Sequence, residues 1–194
     1  TPPIVLDLDG DGITSQSLTN SAAYFDYNGD GRREHTAWTD AGDALLVVDI
    51  DTHGVITKGT ELFGNYSVLD DGTRAMDGYE AMSQYDSNGD NILDASDEQF
   101  SELKLWKDIN QNGKNEEGEL STLAENGIIA INLSRTDGTT FTQITEAGNV
   151  VTNETNYIGT NGDRIVRDVW FSYDGTDTIA YSTLSDSDEK KIAI

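Results

Sequence analysis

One short loop pattern occurs five times along this 194-residue chain, and it limits the possible folds more than any apolar run does. It is written as Asp7-Leu-Asp9-Gly-Asp11-Gly12, Asp26-Tyr-Asn28-Gly-Asp30-Gly31, Asp86-Ser-Asn88-Gly-Asp90-Asn91 and Asp108-Ile-Asn110-Gln-Asn112-Gly113, with Asp49-Ile-Asp51-Thr-His53-Gly54 as a degraded copy. The first residues lie 19, 23, 37 and 22 positions apart, which excludes a solenoid of fixed period. The same loop is reused in different settings. Oxygens on alternate residues with a glycine at the sixth position are what a hard divalent cation requires of a twelve-residue loop. Positions 1, 3, 5, 9 and 12 give side-chain oxygens and position 7 a backbone carbonyl.

The fifth loop meets that template completely, through Asp108, Asn110, Asn112, the Lys114 carbonyl, Glu116 and Glu119. The fourth offers Asp86, Asn88, Asp90, the Ile92 carbonyl, Asp94 and Asp97, with Asn91 in place of glycine because Asn enters the left-handed region. The first loop (Asp7, Asp9, Asp11) and the second (Asp26, Asn28, Asp30, the Arg32 carbonyl) have Leu18 and Ala37 at position 12. They must borrow a closing ligand, with Glu34, Asp40 and Asp43 as the candidates. In the third loop (Asp49, Asp51), Glu61 falls one residue late and His53 stands where an oxygen belongs. The sequence reading is four or five Ca²⁺ ions. All-oxygen cages suit Ca²⁺ better than Mg²⁺, and two histidines, His35 and His53, are too few for zinc.

Composition agrees. Twelve basic against 36 acidic side chains give a net charge of −24, which excludes a nucleic-acid footprint and disfavours an anionic membrane surface. The runs 44–50 and 127–133 are too short to span a bilayer. Asp outnumbers Glu by 24 to 12, and 19 Gly accompany them, a loop-forming rather than helix-forming excess. The 16 aromatic residues argue for an ordered core and not a disordered acidic tail. Cysteine is absent, so disulfides and thiolate chemistry are excluded. No serine-nucleophile elbow, P-loop or zinc-protease helix is present.

Hydrophobic periodicity predicts strands over 4–8 and 43–50, a helix over 77–85, a second helix led by a Ser96–Gln99 capping box through Phe100, Leu103 and Trp106, and a third starting at 120–125. Strands follow over 128–133, 139–145, 150–155, 163–173 and 178–184, with a turn at Asp174-Gly175. The expected fold is α+β in one module. EF-hand-like loops and short helices occupy 1–133, an antiparallel β-rich part 134–184, and a polar tail 185–194. Of the adjacent Trp170 and Phe171, one is expected in the core. An apolar strand ending in Asp7-Leu-Asp9-Gly10 also resembles the opening of haloacid-dehalogenase-like phosphatases, but over seven residues only and without the βαβ units that family needs.

Six collinear segments carry a broader likeness: 3–13, 45–51, Gly59-Thr-Glu-Leu-Phe-Gly64, 78–81, 86–92 and 105–113. Over residues 2–133 the chain resembles the calcium-dependent self-processing module of large RTX proteins secreted by Gram-negative bacteria. That resemblance implies a calcium-folded scaffold which cleaves an Asp-Pro bond at its own N-terminal edge. Pro3 matches the family's proline, but the residue before it is Pro2, which has no carboxylate to attack. Self-cleavage is therefore disfavoured and the chain is read as no enzyme. With the strand-rich part carrying Tyr157, Trp170, Phe171, Tyr173 and Tyr181, the whole chain resembles the peptide-binding domains of long RTX adhesins. The resemblance implies a secreted or cell-surface, calcium-dependent module of a longer chain. It would act as a monomer in adhesion and biofilm formation, holding a peptide or protein C-terminus on a target cell, with no nucleic acid and no membrane insertion. A calcium-stiffened spacer is the remaining alternative.

Overall fold

The computed structural model describes residues 2–134 and 143–180. The expected strand over 139–145 therefore lies partly outside the described residues, and the end of the strand at 184, Tyr181 and the tail 185–194 lie wholly outside them. Among the described residues the strands are β1 (Ile4–Leu6), β2 (Ser15–Gln16), β3 (Tyr24–Phe25), β4 (Arg32–Thr36), β5 (Trp38–Thr39), β6 (Ala44–Val48), β7 (Ile92–Asp94), β8 (Leu103–Trp106), β9 (Leu120–Thr122), β10 (Ile128–Asn132), β11 (Gln143–Ile144), β12 (Val150–Gly159), β13 (Arg164–Trp170) and β14 (Tyr173–Ala180).

Five consecutive apolar residues in β6 explain the centre of the molecule. A strand that is apolar on every residue must be covered on both faces. Accordingly Ala44, Leu46 and Val48 face one core with Ile4, Leu6, Phe63, Tyr79, Met82, Leu103 and Leu105. Leu45 and Val47 face a second, aromatic core with Val5, Phe25, Tyr27, Trp38, Trp106 and Phe171. The large sheet runs β7-β10-β12-β13-β1-β6-β8-β9, with β11 on β12, and every pairing between its strands is antiparallel. Two small sheets, β14-β4-β3 and β2-β5, complete the fold. β1 thus lies between antiparallel neighbours, so the phosphatase reading has no βαβ unit to rest on.

The α+β expectation is overturned: the described residues are β-rich, with one short helix among them, α1 (Gly78–Ser83). That helix falls inside the expected 77–85 window, where the Asp77 side chain caps it by accepting from the Glu80 amide at 2.9 Å. The second helix does not form. Phe100, Leu103 and Trp106 have helical spacing, yet Leu103 and Leu105 also lie two apart, and β6 takes them as β8. Ser96 does not act as the expected cap: its amide and hydroxyl donate to Asp94 at 2.8 and 2.6 Å. Leu120–Thr122 is β9, and only one 3₁₀ turn, Ala124–Asn126, follows before Gly127 turns left-handed at φ 70°. Two strands thus stand where EF-hand helices were expected beside the fifth loop.

Nor does residue 133 divide two packing units. β12 and β13 sit between β10 and β1, so strands from both ends of the sequence alternate in one sheet. The Asp174-Gly175 turn is also displaced. The chain changes sheets at Phe171–Ser172, and 174–178 is a bulge within the β14 pairing to β4. Phe171 is the buried member of its pair and packs on Trp38 at 5.9 Å. Trp170 is half-buried and donates to the Thr152 hydroxyl.

Candidate metal loops and an adjoining cleft

All five loops adopt one backbone geometry. At position 6, Gly12, Gly31, Gly54, Asn91 and Gly113 have positive φ, and so do the position-4 residues Gly10, Gly29, Thr52, Gly89 and Gln111. Asn91, Thr52 and Gln111 are the three non-glycine residues at positive φ among those described, and all lie in these loops. In each loop the position-1 aspartate accepts the amides that this turn directs inward: Gly10 and Gly12 on Asp7, Gly29, Asp30 and Gly31 on Asp26, His53 and Gly54 on Asp49, Gly89, Asp90 and Asn91 on Asp86, and Asn112 and Gly113 on Asp108. The degraded third copy is as well formed as the complete fifth.

The loops differ in what closes them. For the first, the borrowed ligand is Asp43, delivered by the turn before β6: Asp7, Asp9 and Asp43 bring carboxylate oxygens within 4.8 Å of one another. Gly42 makes this approach possible, because a Cβ there would run into the Asp9 carboxylate. Asp43 is 1% exposed, its Oδ2 accepts from the Thr14 amide at 3.0 Å, and its Oδ1 is buried without a partner. Burial, aided by the charges of Asp7, Asp9 and Asp11, pushes its carboxyl up to about 7. Asp11 is exposed, and its hydrogen bond to Asp9 raises its pKa.

In the second loop, Glu34 on β4 is the acid behind Asp26 and Asp30. It is buried, accepts from the Tyr27 amide, and is shifted upward mainly by burial. Asn28 accepts from the Asp30 amide and Asp30 from that of Arg32. Asp40 instead accepts from the Gln111 amide side chain. In the third loop, Asp49, Asp51 and the fully buried Glu61 converge within 4.8 Å, so the acid that fell one residue late does reach the site.

A buried carboxylate oxygen with no donor is costly unless a cation or proton meets it. Asp43 and Glu61 each carry one such oxygen and each belong to a group of three converging carboxylates, and burial raises both pKa values. The donor set, hard oxygens only in the first loop, fits a calcium ion.

The fourth and fifth loops close internally. Asp97 reaches back to the Ser87 and Asn88 amides and also accepts from Asp94. Glu119 accepts from the Ile109 and Glu116 amides. Their other expected ligands are Asn88, Asp90, Asp94, Asn110, Asn112, Glu116 and the Ile92 and Lys114 carbonyls, and among the described residues no three carboxylates converge within 4.8 Å at either loop. The fifth loop is also wired into the aromatic core. The Trp38 indole donates to Asp108 at 2.7 Å and that of Trp106 to Glu119 at 3.2 Å, the two rings meeting edge to face at 5.4 Å. Sequence reasoning missed both tryptophans, whose only sequence signal was their presence in a chain rich in carboxylates.

A cleft of about 430 Å³ opens beside the second loop. Its lining includes Asn28, Asp30, Arg32 and Glu34 of the second loop and β4 together with Tyr27, Tyr66 and Tyr173. Tyr173 is 47% exposed, and Arg74 lies over the Tyr66 ring at 4.6 Å. Tyr66 and Tyr27 continue into a smaller depression next to Pro2 and Pro3. Among the described residues no helix is long and apolar enough to cross a membrane.

The sequence profile of the SPM domain family matches residues 4–172, which takes in the strands after 133 as well as the loops. Iron-regulated protein FrpA of Neisseria meningitidis serogroup C is 42% identical over 161 residues, covering 82% of this chain. The chain corresponds to 14% of FrpA's length.

Proposed function

The chain belongs to the SPM domain family, and on that premise we propose that it is a calcium-dependent peptide-binding module of a secreted RTX adhesin, taking a short peptide or protein C-terminus. The observation that carries this reading is the cleft in which ligand residues of the second loop, Asn28, Asp30 and Glu34, share walls with three tyrosines. A cation held there could take a terminal carboxylate in an open coordination position, while the phenol rings cover the adjoining side chains. A net charge of −24 would repel an acidic ligand unless a metal ion neutralised its end. The loops support four or five Ca²⁺ ions, and the likeness to FrpA supports export from the cell.

The test is binding of a peptide library with free or amidated C-termini, with Ca²⁺ and after chelation. Free termini should bind at least tenfold more tightly than amidated ones, in Ca²⁺ only, and Tyr66→Ala should weaken them without changing the number of bound ions. Equal binding of both forms, or no Ca²⁺-dependent binding at all, would remove the peptide reading and favour a calcium-stiffened spacer.

A further inference from the structure

We propose that the third loop is a mixed nitrogen–oxygen site selective for a first-row transition divalent ion over Ca²⁺. This rests on the reading that the loops hold cations, and it assigns one of them a different ion. Three features set the third loop apart. Its oxygens are few: Asp49, Asp51 and Glu61 converge within 4.8 Å, position 12 is Thr60 and, as in the first two loops, has no carboxylate, but here position 5 adds no side-chain oxygen either. One of those carboxylates is already shared, because the Lys58 ammonium lies 2.9 Å from Asp51 Oδ2. Ca²⁺ asks for six to eight oxygens, and this set falls short. Next, position 5 carries an imidazole where the other loops carry Asp11, Asp30, Asp90 or Asn112, and His53 Nδ1 stands 3.1 Å from Asp51 Oδ1. Imidazole with two or three carboxylates suits manganese through zinc, with affinity rising along that series to copper.

The third feature points to a ligand independently of the acidic grouping. Glu61 is fully buried, and only its Oε2 is used, by the Thr57 amide at 2.8 Å, the Thr57 hydroxyl and the Lys58 amide. Oε1 has no donor in a place water does not reach. The Thr57 and Lys58 bonds hold the carboxylate with Oε1 as the oxygen left for an ion, while His53, 73% exposed, borders the group on its solvent side through its contact with Asp51.

The experiment titrates Co²⁺ into the full chain already saturated with Ca²⁺, following visible absorption and stoichiometry by calorimetry. One Co²⁺ should bind per chain, with absorption bands of imidazole ligation, and millimolar Ca²⁺ should not displace it. His53→Asp, which restores the residue type of the first two loops, should lose those bands, bind Co²⁺ at least tenfold more weakly and accept an additional Ca²⁺. His35→Gln, which removes the other imidazole, should change nothing. Co²⁺ that Ca²⁺ displaces equally from the wild type and His53→Asp would overturn the proposal while leaving calcium loops in place. Absence of any stoichiometric Ca²⁺ binding would overturn the reading beneath it.

Discussion

The fourth and fifth loops are nearly interchangeable as sequence and quite different as structure. Both place oxygens at positions 1, 3 and 5 and end in an acid. Yet Asn88 and Asp90 are exposed, and Asp86 spends its oxygens on its own loop's amides. Asp108 is fully buried, with Trp38 as an additional donor, and the fifth loop docks on its surroundings. The Asn112 carbonyl accepts from the Tyr24 amide, and Asn115 accepts from the Ile56 amide of the third loop. A ligand pattern therefore says which atoms meet a cation. Burial decides how much of the fold depends on them.

Removing the first aspartate of each loop tests that comparison most severely. In metal-stripped protein, Asp108→Ala leaves the Trp38 indole and the Gly113 amide as donors without an acceptor in a buried place, a loss of about 3 kcal/mol. Asp86→Ala exposes its amides to water and should cost about 1 kcal/mol. Urea denaturation of the two variants measures the gap, and equal losses would break the distinction.

Calcium binding should also report differently from the two loops. An ion taking the Asp108 and Glu119 oxygens competes with both indole hydrogen bonds, so tryptophan emission should change as the fifth loop fills. Asp86→Ala should retain that change with one ion fewer, and Asp108→Ala should lose it. A signal that follows the fourth loop instead would mean that the ion leaves the indole contacts intact.

Acidity separates the closed first loop from the exposed loops by a smaller effect. Asp43 is raised from 3.8 to about 7 by burial, so the native metal-free state holds a proton that the unfolded chain releases. Stability from this group is complete below pH 4 and is lost as pH rises through about 7, the reverse of an ordinary paired carboxylate. Self-repulsion at −24 acts in the same direction. Metal-stripped protein should therefore unfold at lower urea at pH 7.5 than at pH 5.5, with a shallower slope in Asp43→Asn. With Ca²⁺ in excess the trend should invert, since the ion replaces the proton. A rising urea midpoint with pH in the stripped protein would contradict the buried, protonated Asp43.

The five loops and the strands at 4–6 and 44–48 were legible because each is local: a ligand spacing, or an unbroken apolar run. The closing residues were legible only as a short list. Nothing in the spacing singles out Asp43 over Asp40, since the choice is made by Gly42, the turn before β6 and the sheet that places Thr14 nearby. Helices were over-read for the same reason. Phe100–Trp106 satisfies a three-residue period and a two-residue period at once, and the winner is fixed by β6, over fifty residues away in the chain. The strands Arg32–Thr36 and Ile92–Asp94 carry too few apolar residues to announce themselves, because partners and loop geometry hold them.

Two of the non-glycine residues at positive φ, Thr52 at position 4 of the third loop and Asn91 at position 6 of the fourth, give the smallest and sharpest test of the claim that all five loops are one structure. Thr52 is β-branched and sits at φ 60°, a conformation that costs an L-residue roughly 1–2 kcal/mol. Asn91, at φ 65°, is of a type that enters this region readily. Thr52→Gly should stabilise the metal-free chain by about 0.5–1 kcal/mol once glycine's extra unfolded-state entropy is subtracted. Asn91→Gly should gain no more than a few tenths of a kcal/mol. Both positions are exposed, so lost packing does not obscure the comparison. Thermal denaturation in chelator resolves such differences, and a Thr52→Gly variant no more stable than the wild type would mean that the third loop leaves the shared geometry in solution.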